Sequence, residues 1–385
     1  MSFIRNISET TLLLLCLDFS ATLEHQLQRM RYETATIKDI AKALGLSTST
    51  VSRALRGGYE ISAETKRIVL EYAEEIHYRP NPIALSLKER RTHSIAVVVS
   101  EIANNFFSQA INGIESIAYA SGYHVIITQS NESYEREVLN VEHLASRSVD
   151  GLIISLSSES NDISYLKNLH ERGLPIVLFD RVTEEIKTHK VIANNFQGAF
   201  EATEYLISLG SRKIAHLTNA AHLSITQERM QGYRAALEKY DIPFNELYVK
   251  HCNHGGMIQE ELDNAVREIL QLEARPEAFF IAQDKLTTGA LLAFKSVDPD
   301  YGSKIAISGF TNSNVVELFS PSITAVRQPA FEMGQLATKM LISLIESKYP
   351  VTEFETKVLN TQLMVSDIDK EVNTVFQPAS FPDER

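Results

Sequence analysis

Hydroxyl and guanidinium side chains are concentrated between residues 47 and 56, in the stretch STSTVSRALR. At helical spacing the apolar residues of this stretch share one face, which leaves these polar side chains on the other: Thr48, Ser49, Ser52, Arg53 and Arg56. A guanidinium group can form two hydrogen bonds with a guanine edge, and hydroxyl groups bind phosphates and several bases. The pattern is typical of a helix that lies in the major groove of DNA.

Charged and amide side chains form a second group, at the ends of apolar runs later in the chain. Asp180 and Arg181 end the run PIVLF, Asp284 ends the run AFFIAQ, and Gln328 follows ITAVR. Parallel sheets bind ligands at the carboxyl ends of their strands, so these side chains predict a ligand site. Arg229 lies near the start of a predicted helix and belongs to the same group. For Arg181 and Arg229 a surface ion pair is the competing interpretation, and it stays open at this point.

Other reactive groups form no familiar catalytic or metal motif. The segment His251-Cys252-Asn253-His254 lacks the usual zinc spacings, and neighbours in a strand point to opposite faces. An edge strand that leads into a loop is the favoured interpretation of this segment. The sequence contains no GxSxG, GxGxxG, P-loop or HExxH motif. We expect no enzymatic activity, no catalytic residue, no bound metal and no cofactor.

Three short predicted helices position the first group. Thr36 and Asp39 form a capping box, Gly45 ends the first helix, and Ser47 caps the second. A third helix follows Ser62, with this predicted buried stripe: Ile68, Val69, Tyr72, Ala73 and Ile76. Two helices joined by a glycine-containing turn indicate a helix-turn-helix, whose second helix fits the major groove. An ordinary three-helix bundle without a DNA role is the alternative.

The segment RPNPIALSLK predicts an extended linker followed by a very short helix. Asn81 can cap this helix, and Pro82 suits its first turn. Isolated helices of fewer than about 12 residues are marginal in water, so this helix needs a partner to fold. DNA together with a second copy of the chain would supply that partner.

From Ser94 onward, short apolar runs alternate with helical stretches, which predicts an α/β fold with parallel, doubly wound sheets. Eight runs are strand candidates: SIAVVVS, YHVIITQS, GLIISLS, PIVLFD, KIAHLTN, AFFIAQD, KIAISGF and ITAVRQ. Helical connectors are predicted at 109–120, 135–147 and 257–272. The second group of polar residues therefore lies at one edge of such sheets.

Charge is unevenly distributed along the chain. The 385 residues are 44% hydrophobic and carry a net charge of −12, which taken alone argues against nucleic acid. Residues 31–92, however, contain 11 Lys and Arg against 8 Asp and Glu, and residues 93–385 have a net charge of −14. A small basic module therefore precedes a large acidic body.

The sequence gives little support for export or membrane insertion. The apolar run 11–17 is too short for a signal peptide, and Asp18 interrupts it. No apolar run approaches the roughly 18 residues that span a bilayer. Two cysteines, Cys16 and Cys252, make no disulfide scaffold. We expect a cytoplasmic protein in which residues 1–35 form a disordered extension, with Met30 as an alternative start.

The stretch TIKDIAKALGLSTSTVSRALRG, followed by YRPNPIALSLK, resembles the head and hinge of the LacI/GalR family of bacterial transcription regulators. The resemblance continues to about Val365 and implies an all-α head joined by a hinge helix to an α/β body of two doubly wound lobes. It implies these regions: the extension 1–35, a helix-turn-helix domain 36–79, a hinge helix and linker 80–92, an effector-binding and dimerisation domain 93–366, and a tail 367–385.

The resemblance also implies DNA contacts. It places Thr48, Ser49 and Arg53 at base-reading positions, and it matches Leu87 to a wedge that unstacks a central base step from the minor groove. Ala84, one turn before Leu87, stays small to permit close approach. The complete set of predicted DNA contacts, with phosphate contacts included, is Thr36, Ser47, Thr48, Ser49, Thr50, Ser52, Arg53, Asn81, Ala84 and Leu87.

A small-molecule site between the lobes is implied in the same way. The matching positions are Phe106, Phe107, Arg181, Arg229, Asp284 and Gln328. These residue types suit a sugar, because charged groups bridge neighbouring hydroxyls and aromatic faces pack against C–H surfaces. Gln283 precedes Asp284 where the family usually has Asn, and Thr311 stands where it usually has Asp. The identity of the effector therefore stays open.

The resemblance implies a homodimeric transcription regulator, most simply a repressor, without a membrane partner. It would bind a pseudo-palindromic double-stranded DNA operator and respond to a small-molecule effector, a sugar or a sugar derivative. The alternative is a periplasmic-type sugar-binding protein without a DNA role. The predicted head and hinge, from Thr36 to Leu87, argue against that alternative.

Overall fold

The computed structural model describes residues 35–57, 60–79, 91–302, 305–314 and 323–365. The chain divides into two compact units, residues 1–90 and residues 91–385. We call the described part of the first unit the head and that of the second unit the body. The predicted extension 1–35, except for its last residue, most of the hinge segment 80–92 and the tail 367–385 lie outside the described residues, so the predicted domain limits stay predictions.

The head consists of three helices: α1 (Ile37–Leu44), α2 (Thr48–Leu55) and α3 (Ala63–Glu75). The Thr36 amide donates to Asp39 Oδ2 at 2.8 Å, which confirms the predicted capping box. Gly45 ends α1 with φ 64°, and the Ser47 hydroxyl accepts the Thr50 amide at 3.1 Å. These local signals separate α1 and α2 by a tight turn, as a helix-turn-helix requires.

A small apolar core joins the three helices of the head. Ile40 from α1, Val51 and Ala54 from α2, and Val69 from α3 are fully buried. The prediction that Ile68 is buried was wrong, because 38% of its side chain is exposed while Val69 and Ala73 face the core. The core thus fixes α2 by its apolar face and leaves the opposite face exposed.

The body contains two six-stranded sheets, and each forms one lobe. The sheet of lobe 1 has the order β11-β5-β4-β3-β1-β2, with all neighbours parallel. Its strands are β1 (Ser94–Val99), β2 (His124–Gln129), β3 (Gly151–Ile154), β4 (Ile176–Phe179), β5 (His189–Ala193) and β11 (Thr356–Leu359). Its helices are α4 (Asn105–Ala120), α5 (Tyr134–Ser146), α6 (Ser164–Glu171) and α12 (Ala330–Glu346).

The sheet of lobe 2 has the order β12-β10-β9-β8-β6-β7, in which only β12 runs antiparallel to its neighbour among the described strands. Its strands are β6 (Ile214–Thr218), β7 (Val249–His251), β8 (Ala278–Ile281), β9 (Ala306–Phe310), β10 (Ile323–Arg327) and β12 (Gln362–Met364). Its helices are α7 (Asn195–Ser208), α8 (Ser224–Lys239), α9 (Gln259–Leu270), α10 (Asp284–Val297) and the short α11 (Pro299–Gly302).

The chain crosses between the lobes three times: after β5, after β10, and between β11 and β12. Helix α12 follows a lobe-2 strand but packs on lobe 1, where Met333 and Leu341 are fully buried. The carboxyl ends of β4 and β10 therefore lie close to the crossings. This topology brings polar residues from distant parts of the sequence to one region between the lobes.

All eight strand candidates are confirmed as β1–β4, β6 and β8–β10, and β7 confirms the edge strand at His251. Strands β5, β11 and β12 carried no sequence prediction. In the described part of the chain, no helix combines the length and the apolar composition that spanning a membrane requires.

Candidate functional site

The exposed face of α2 carries the hydroxyl and guanidinium groups singled out in the sequence. Ser47, Thr48, Ser49 and Arg53 are exposed, and Thr50 and Ser52 are half-buried. The Ser47 hydroxyl lies 2.8 Å from the hydroxyls of both Ser49 and Thr50. The structure therefore places the described members of the predicted DNA-contacting set at the start and along one side of α2, apart from Thr36.

Two of the polar groups in the head already have partners within the head. The Thr36 hydroxyl donates to Asp39 Oδ2 at 2.7 Å, so it serves the cap of α1. Arg53 Nη1 forms an ion pair with Glu60 Oε2 at 2.8 Å, and both side chains are about half exposed. An exposed ion pair contributes only about 0–1 kcal/mol, so Arg53 can exchange Glu60 for a DNA base at little cost. The predicted hinge contacts Asn81, Ala84 and Leu87 lie outside the described residues.

In lobe 1, Arg181 follows β4 and is buried, with 2% of its surface exposed. Its two terminal nitrogens lie 2.6 and 2.9 Å from the carboxylate oxygens of Glu132, the residue three positions after β2. The pair is buried and bidentate, so the interpretation of Arg181 as part of a surface ion pair was wrong. Burial alone would raise the pKa of Glu132, but the Arg181 charge and hydrogen bonds outweigh it and hold that pKa below its ordinary value.

In lobe 2, Arg229 lies in the second turn of α8 and is also 2% exposed. Its Nε and Nη2 donate to Asn195 Oδ1 at 2.9 and 2.7 Å, and its guanidinium carbon lies 3.7 Å from the centre of the Phe310 ring. Burial lowers the pKa of Arg229 to about 10, so the group keeps its charge at neutral pH. The surface-ion-pair interpretation is wrong for Arg229 as well.

Asp284 begins α10 and lies at the contact between the lobes. Its carboxylate accepts hydrogen bonds from the Thr311 hydroxyl in lobe 2 and from the Asn105 amide at the start of α4 in lobe 1. Burial raises the pKa of Asp284, and these hydrogen bonds oppose the rise. The residue that replaces the family's usual aspartate, Thr311, is thus a direct partner of Asp284.

Gln328 follows β10 and joins an amide network at the crossing between the lobes. Its amide nitrogen approaches Asp180 Oδ1 at 3.4 Å, and its backbone amide donates to Asn312 Oδ1 at 3.0 Å. Asn312 in turn donates to Gln109 Oε1 on α4 at 2.8 Å. The backbone of Asp180 has φ 60°. Its side chain is buried, and burial raises the pKa of its carboxyl group. Arg181, Gln328 and Asp180 thus converge, as the strand-end argument predicts.

Phe106 and Phe107 occupy the core of lobe 1, where 4% and 3% of their surfaces are exposed. Phe107 makes an edge contact with Phe179, the last residue of β4, at 6.1 Å between ring centres. The Phe107 ring therefore packs against the strand end that carries Asp180 and Arg181, and the Phe106 ring packs against Phe107. Their assignment as ligand contacts stays a prediction.

Buried polar atoms without a hydrogen-bond partner occur at several strand ends of the described chain. They follow β2, β3, β4 and β6 and include Ser130 Oγ, Ser155 Oγ, Ser158 Oγ, Arg181 Nε and both amide atoms of Asn219. Leaving such an atom unpaired costs about 1–3 kcal/mol. A ligand rich in hydroxyl groups has the donors and acceptors that these atoms need.

A cavity of about 450 Å³ lies beside this cluster. It opens between the segments that follow β3, β6 and β7, and its polar lining comes from Ser158, Glu159, Asn161, His222, Asn253 and His254. Ser158 belongs both to the cavity wall and to the set of unpaired polar atoms. The carboxyl ends of strands from both lobes therefore border one cavity of ligand size, and none of the six predicted ligand residues lines it.

The lobes touch each other around this site. Lys285 Nζ of α10 forms an ion pair with Glu101 Oε1 of lobe 1 at 2.6 Å, and the Ser224 hydroxyl accepts the Val182 amide at 3.3 Å. Sequence reasoning missed Glu132, Asn195, Asn219 and Asn312. Asn219 directly follows β6, and Glu132 lies three residues after β2. The strand-end argument, applied to these two strands, would have found both residues.

Comparisons with known proteins agree with this arrangement. Residues 36–81 match the family described as bacterial regulatory proteins, lacI family, and residues 92–368 match periplasmic binding proteins and sugar binding domain of LacI family. The chain is 31% identical over 344 residues to the transcriptional repressor PurR of Vibrio campbellii, covering 88% of this chain and all of the relative.

Two further relatives are named for sugars. The ribose operon repressor of Haemophilus influenzae is 30% identical over 328 residues, covering 84% of this chain and 96% of the relative. A solved complex of the transcriptional regulator CelR with cellobiose is 28% identical, covers 86% of this chain and 98% of that chain, and superposes with a TM-score of 0.62.

Proposed function

This chain belongs to the LacI family of bacterial regulatory proteins, and on that premise we propose that it is a transcription repressor whose DNA binding is controlled by a sugar held between its lobes. The relatives are transcriptional repressors and regulators rather than enzymes. We further propose that the protein has no catalytic activity and acts in the cytoplasm, where bacterial DNA is located. No organic or metal cofactor is needed for this function.

The proposed DNA contacts use α2 as the recognition helix. Thr48, Ser49 and Arg53 read bases, while Ser47, Thr50 and Ser52 bind phosphates, and Thr36 adds a contact from the cap of α1. The exposure of these groups on one side of α2 supports this assignment. Arg53 bound to a guanine edge would add about 1–3 kcal/mol of discrimination between bases. In the hinge, Leu87 remains the proposed wedge, and Asn81 and Ala84 remain proposed DNA contacts.

We propose that two copies bind the two halves of a pseudo-palindromic operator, with one recognition helix in each half. The body offers apolar groups for such a dimer on both lobes. Tyr119 on α4 is 79% exposed, Ile126 on the edge strand β2 is 37% exposed, and Leu292 on α10 is 61% exposed. Light scattering should report a dimer, and a monomer at micromolar concentration would contradict this part of the proposal.

The sugar assignment rests on the buried polar atoms at the strand ends. Hydroxyl groups can donate to Asn219 Oδ1 and accept from Arg181 Nε, and Arg229 and Asp284 supply charged partners of opposite sign nearby. The cleft contains charges of both signs, so its chemistry suits a neutral, hydrogen-bonding ligand. The relatives named for ribose and cellobiose support the same class.

A thermal-shift screen of pentoses, hexoses and disaccharides tests the sugar assignment. At a sugar concentration 100 times Kd, binding stabilises the folded protein by about 2.7 kcal/mol, which is a shift of several degrees. At least one sugar should raise the Tm of the full chain, and the shift should be lost in Arg229→Gln. A screen in which only non-sugar compounds raise Tm would contradict the assignment.

A further inference from the structure

Glu132 is a charged residue in an unusual position. It lies three residues beyond β2 in the connector SNES, where a solvent-exposed side chain is expected. Instead, the residue is only 5% exposed and its backbone has φ 63°, in the left-handed region that non-glycine residues rarely adopt. Such a conformation persists where the surrounding contacts require it.

The contacts of Glu132 connect three strand ends of lobe 1. Its carboxylate binds both terminal nitrogens of Arg181, after β4, at 2.6 and 2.9 Å. The Ser158 amide, after β3, donates to Glu132 Oε2 at 2.8 Å. Ser158 lines the cavity, and Arg181 Nε is one of the unpaired atoms beside it. Glu132 thus holds two groups of the proposed sugar site without being predicted as a ligand contact itself.

The same carboxylate meets lobe 2 at Gly255. A Cβ atom on Gly255 would lie 2.7 Å from Glu132 Oε1, closer than real Cβ atoms approach other atoms, and 3.1 Å from Glu132 Cδ, tighter than most real Cβ contacts. The Glu132 side chain cannot easily move away, because Arg181 and Ser158 hold it. The next residue differs: the three atoms nearest to a Cβ on Gly256 would belong to Leu286 and Lys285 of its own lobe, at 3.2 Å. Both glycines have positive φ, 59° and 79°.

We propose that Glu132 is a positioning residue of the sugar site: it fixes Arg181 and the Ser158 segment in lobe 1 and forms the surface on which Gly255 closes the cleft. The positioning of the sugar rests on the proposed function above. The contacts with Arg181 and Gly255 do not depend on it. Glu132 therefore couples the shape of the binding site to the approach of the two lobes.

Thermal unfolding of the unliganded full chain tests the two contacts directly. Glu132→Gln and Arg181→Gln should each lower Tm, and the double variant should lower it by clearly less than the sum. Gly255→Ala should lower Tm less in the Glu132→Ala background than in the wild type, since the atoms it would strike are gone. Gly256→Ala is the matched control for backbone strain, and it should lower Tm by the same amount in both backgrounds. Additive changes of Tm in both combinations, Glu132 with Arg181 and Glu132 with Gly255, would overturn the proposal.

Sugar binding tests the positioning role. The probe is whichever of D-ribose and cellobiose raises the wild-type Tm more, with its Kd measured by titration calorimetry. Glu132→Gln should weaken binding at least about tenfold, because charge-assisted hydrogen bonds are among the strongest in proteins. Glu135→Gln, an exposed carboxylate in the first turn of α5, is the control and should leave Kd unchanged.

The outcomes separate this inference from the proposed function. If the wild type binds sugar and Glu132→Gln binds it equally well, Glu132 positions nothing and the inference is overturned. If Glu132→Gln loses folded structure by circular dichroism, Glu132→Asp decides instead: it should fold and still bind more weakly than the wild type. If the wild type binds neither sugar, the sugar assignment fails, and the Tm cycles alone decide on the contacts of Glu132.

Discussion

At the scale of residues, the two buried arginines of the body differ in the groups that balance their charges. Arg181 and Arg229 are equally buried, but Arg181 is paired with a carboxylate, whereas Arg229 is held by an amide oxygen, the Ala282 backbone carbonyl and an aromatic ring. A charge without a directly bonded counter-ion is costly to bury. All three guanidinium nitrogens of Arg229 donate hydrogen bonds, whereas Arg181 Nε has no partner in the described chain, so Arg181 Nε is the proposed donor to a ligand oxygen.

Asp284 provides the first prediction at this scale. Asp284→Ala should weaken sugar binding at least about tenfold, because it removes the acceptor that joins Thr311 of lobe 2 to Asn105 of lobe 1. Titration calorimetry measures this change. Operator binding without sugar should stay near the wild-type value, and Glu273→Ala, an exposed carboxylate, serves as the control. An unchanged Kd for sugar in Asp284→Ala would place the site elsewhere.

His216 provides a second prediction, on stability. Its ring is fully buried and packs against the rings of Phe280 and Tyr233, with Nδ1 3.1 Å from the Phe280 carbonyl, and burial lowers its pKa to about 3. Below pH 6.5 the unfolded chain binds a proton that the folded chain does not, so stability falls as pH decreases. Between pH 7.5 and 5.5 this loss is about 1 kcal/mol.

The measurement is the free energy of unfolding in urea at both pH values. His216→Phe keeps the stacked ring and should reduce the loss between pH 7.5 and 5.5. His143→Phe, on the exposed side of α5, should retain the full loss. An identical pH dependence in wild type and His216→Phe would show that His216 does not cause the acid sensitivity.

Residue-level prediction from sequence succeeded where a side chain directly follows a strongly apolar strand. Asp180, Arg181 and Gln328 come together as expected, because the carboxyl ends of β4 and β10 meet at a crossing. The pairing and burial of Glu132 could not be predicted, because its partner Arg181 lies 49 positions away and its connector reads as an ordinary loop. Burial of an ion pair depends on packing between elements, which a local pattern does not contain.

At the scale of elements, helices α4 and α12 are in backbone contact. A Cβ on Gly113 would lie 2.0 Å from the Phe331 carbonyl oxygen, and a Cβ on Gly334 would lie 2.1 Å from the Ala110 carbonyl oxygen. The two glycines are thus reciprocal, each facing the backbone of the other helix. Helix α12 enters lobe 1 from a lobe-2 strand, so this contact anchors one crossing.

Gly334→Ala should therefore destabilise lobe 1, although alanine is the better helix former. The two helices must separate to admit the methyl group, and overpacking of this kind costs about 1–3 kcal/mol. Urea unfolding measures the change. Lys339→Ala lies on the exposed face of the same helix and should have little effect. A Gly334→Ala variant as stable as the wild type would contradict the backbone contact.

The hinge segment provides the second prediction at this scale. Leu87→Ala should weaken operator binding by at least about 100-fold, because it removes the side chain proposed to insert at an unstacked central base step. Its affinity for sugar should stay near the wild-type value. Fluorescence anisotropy with labelled operator and calorimetry with sugar measure the two quantities. Wild-type DNA affinity in Leu87→Ala would contradict the hinge assignment.

Helices and strands were predictable where the signal, an apolar run or a cap, lies within the segment itself. The eight predicted strands are continuous apolar runs, and the predicted caps at Thr36 and Ser47 are local hydrogen bonds. Strands β11 and β12 are short and largely exposed, and β11 pairs with β5 across more than 150 residues. Such strands exist because the lobes provide free sheet edges, so a local sequence pattern does not reveal them.

At the scale of the whole molecule, the uneven distribution of charge between the head region and the body affects DNA binding. The region that contains the basic head carries three more positive than negative charges, while residues 93–385 carry a net charge of −14. An acidic body repels the DNA backbone and so limits non-specific binding, whereas phosphate contacts by the head supply salt-dependent affinity. Coupling between the two units needs only about 2.7 kcal/mol to change operator affinity 100-fold.

The most direct test of this account is operator affinity measured with and without sugar. An operator selected from random duplex DNA by the full chain, and then labelled, allows Kd to be measured by fluorescence anisotropy at fixed salt. We predict a pseudo-palindromic operator bound by a dimer, with a Kd that changes at least about tenfold when a sugar that raises Tm is added. A chain that selects no DNA sequence, or a bound sugar that leaves the operator Kd unchanged, would contradict the account.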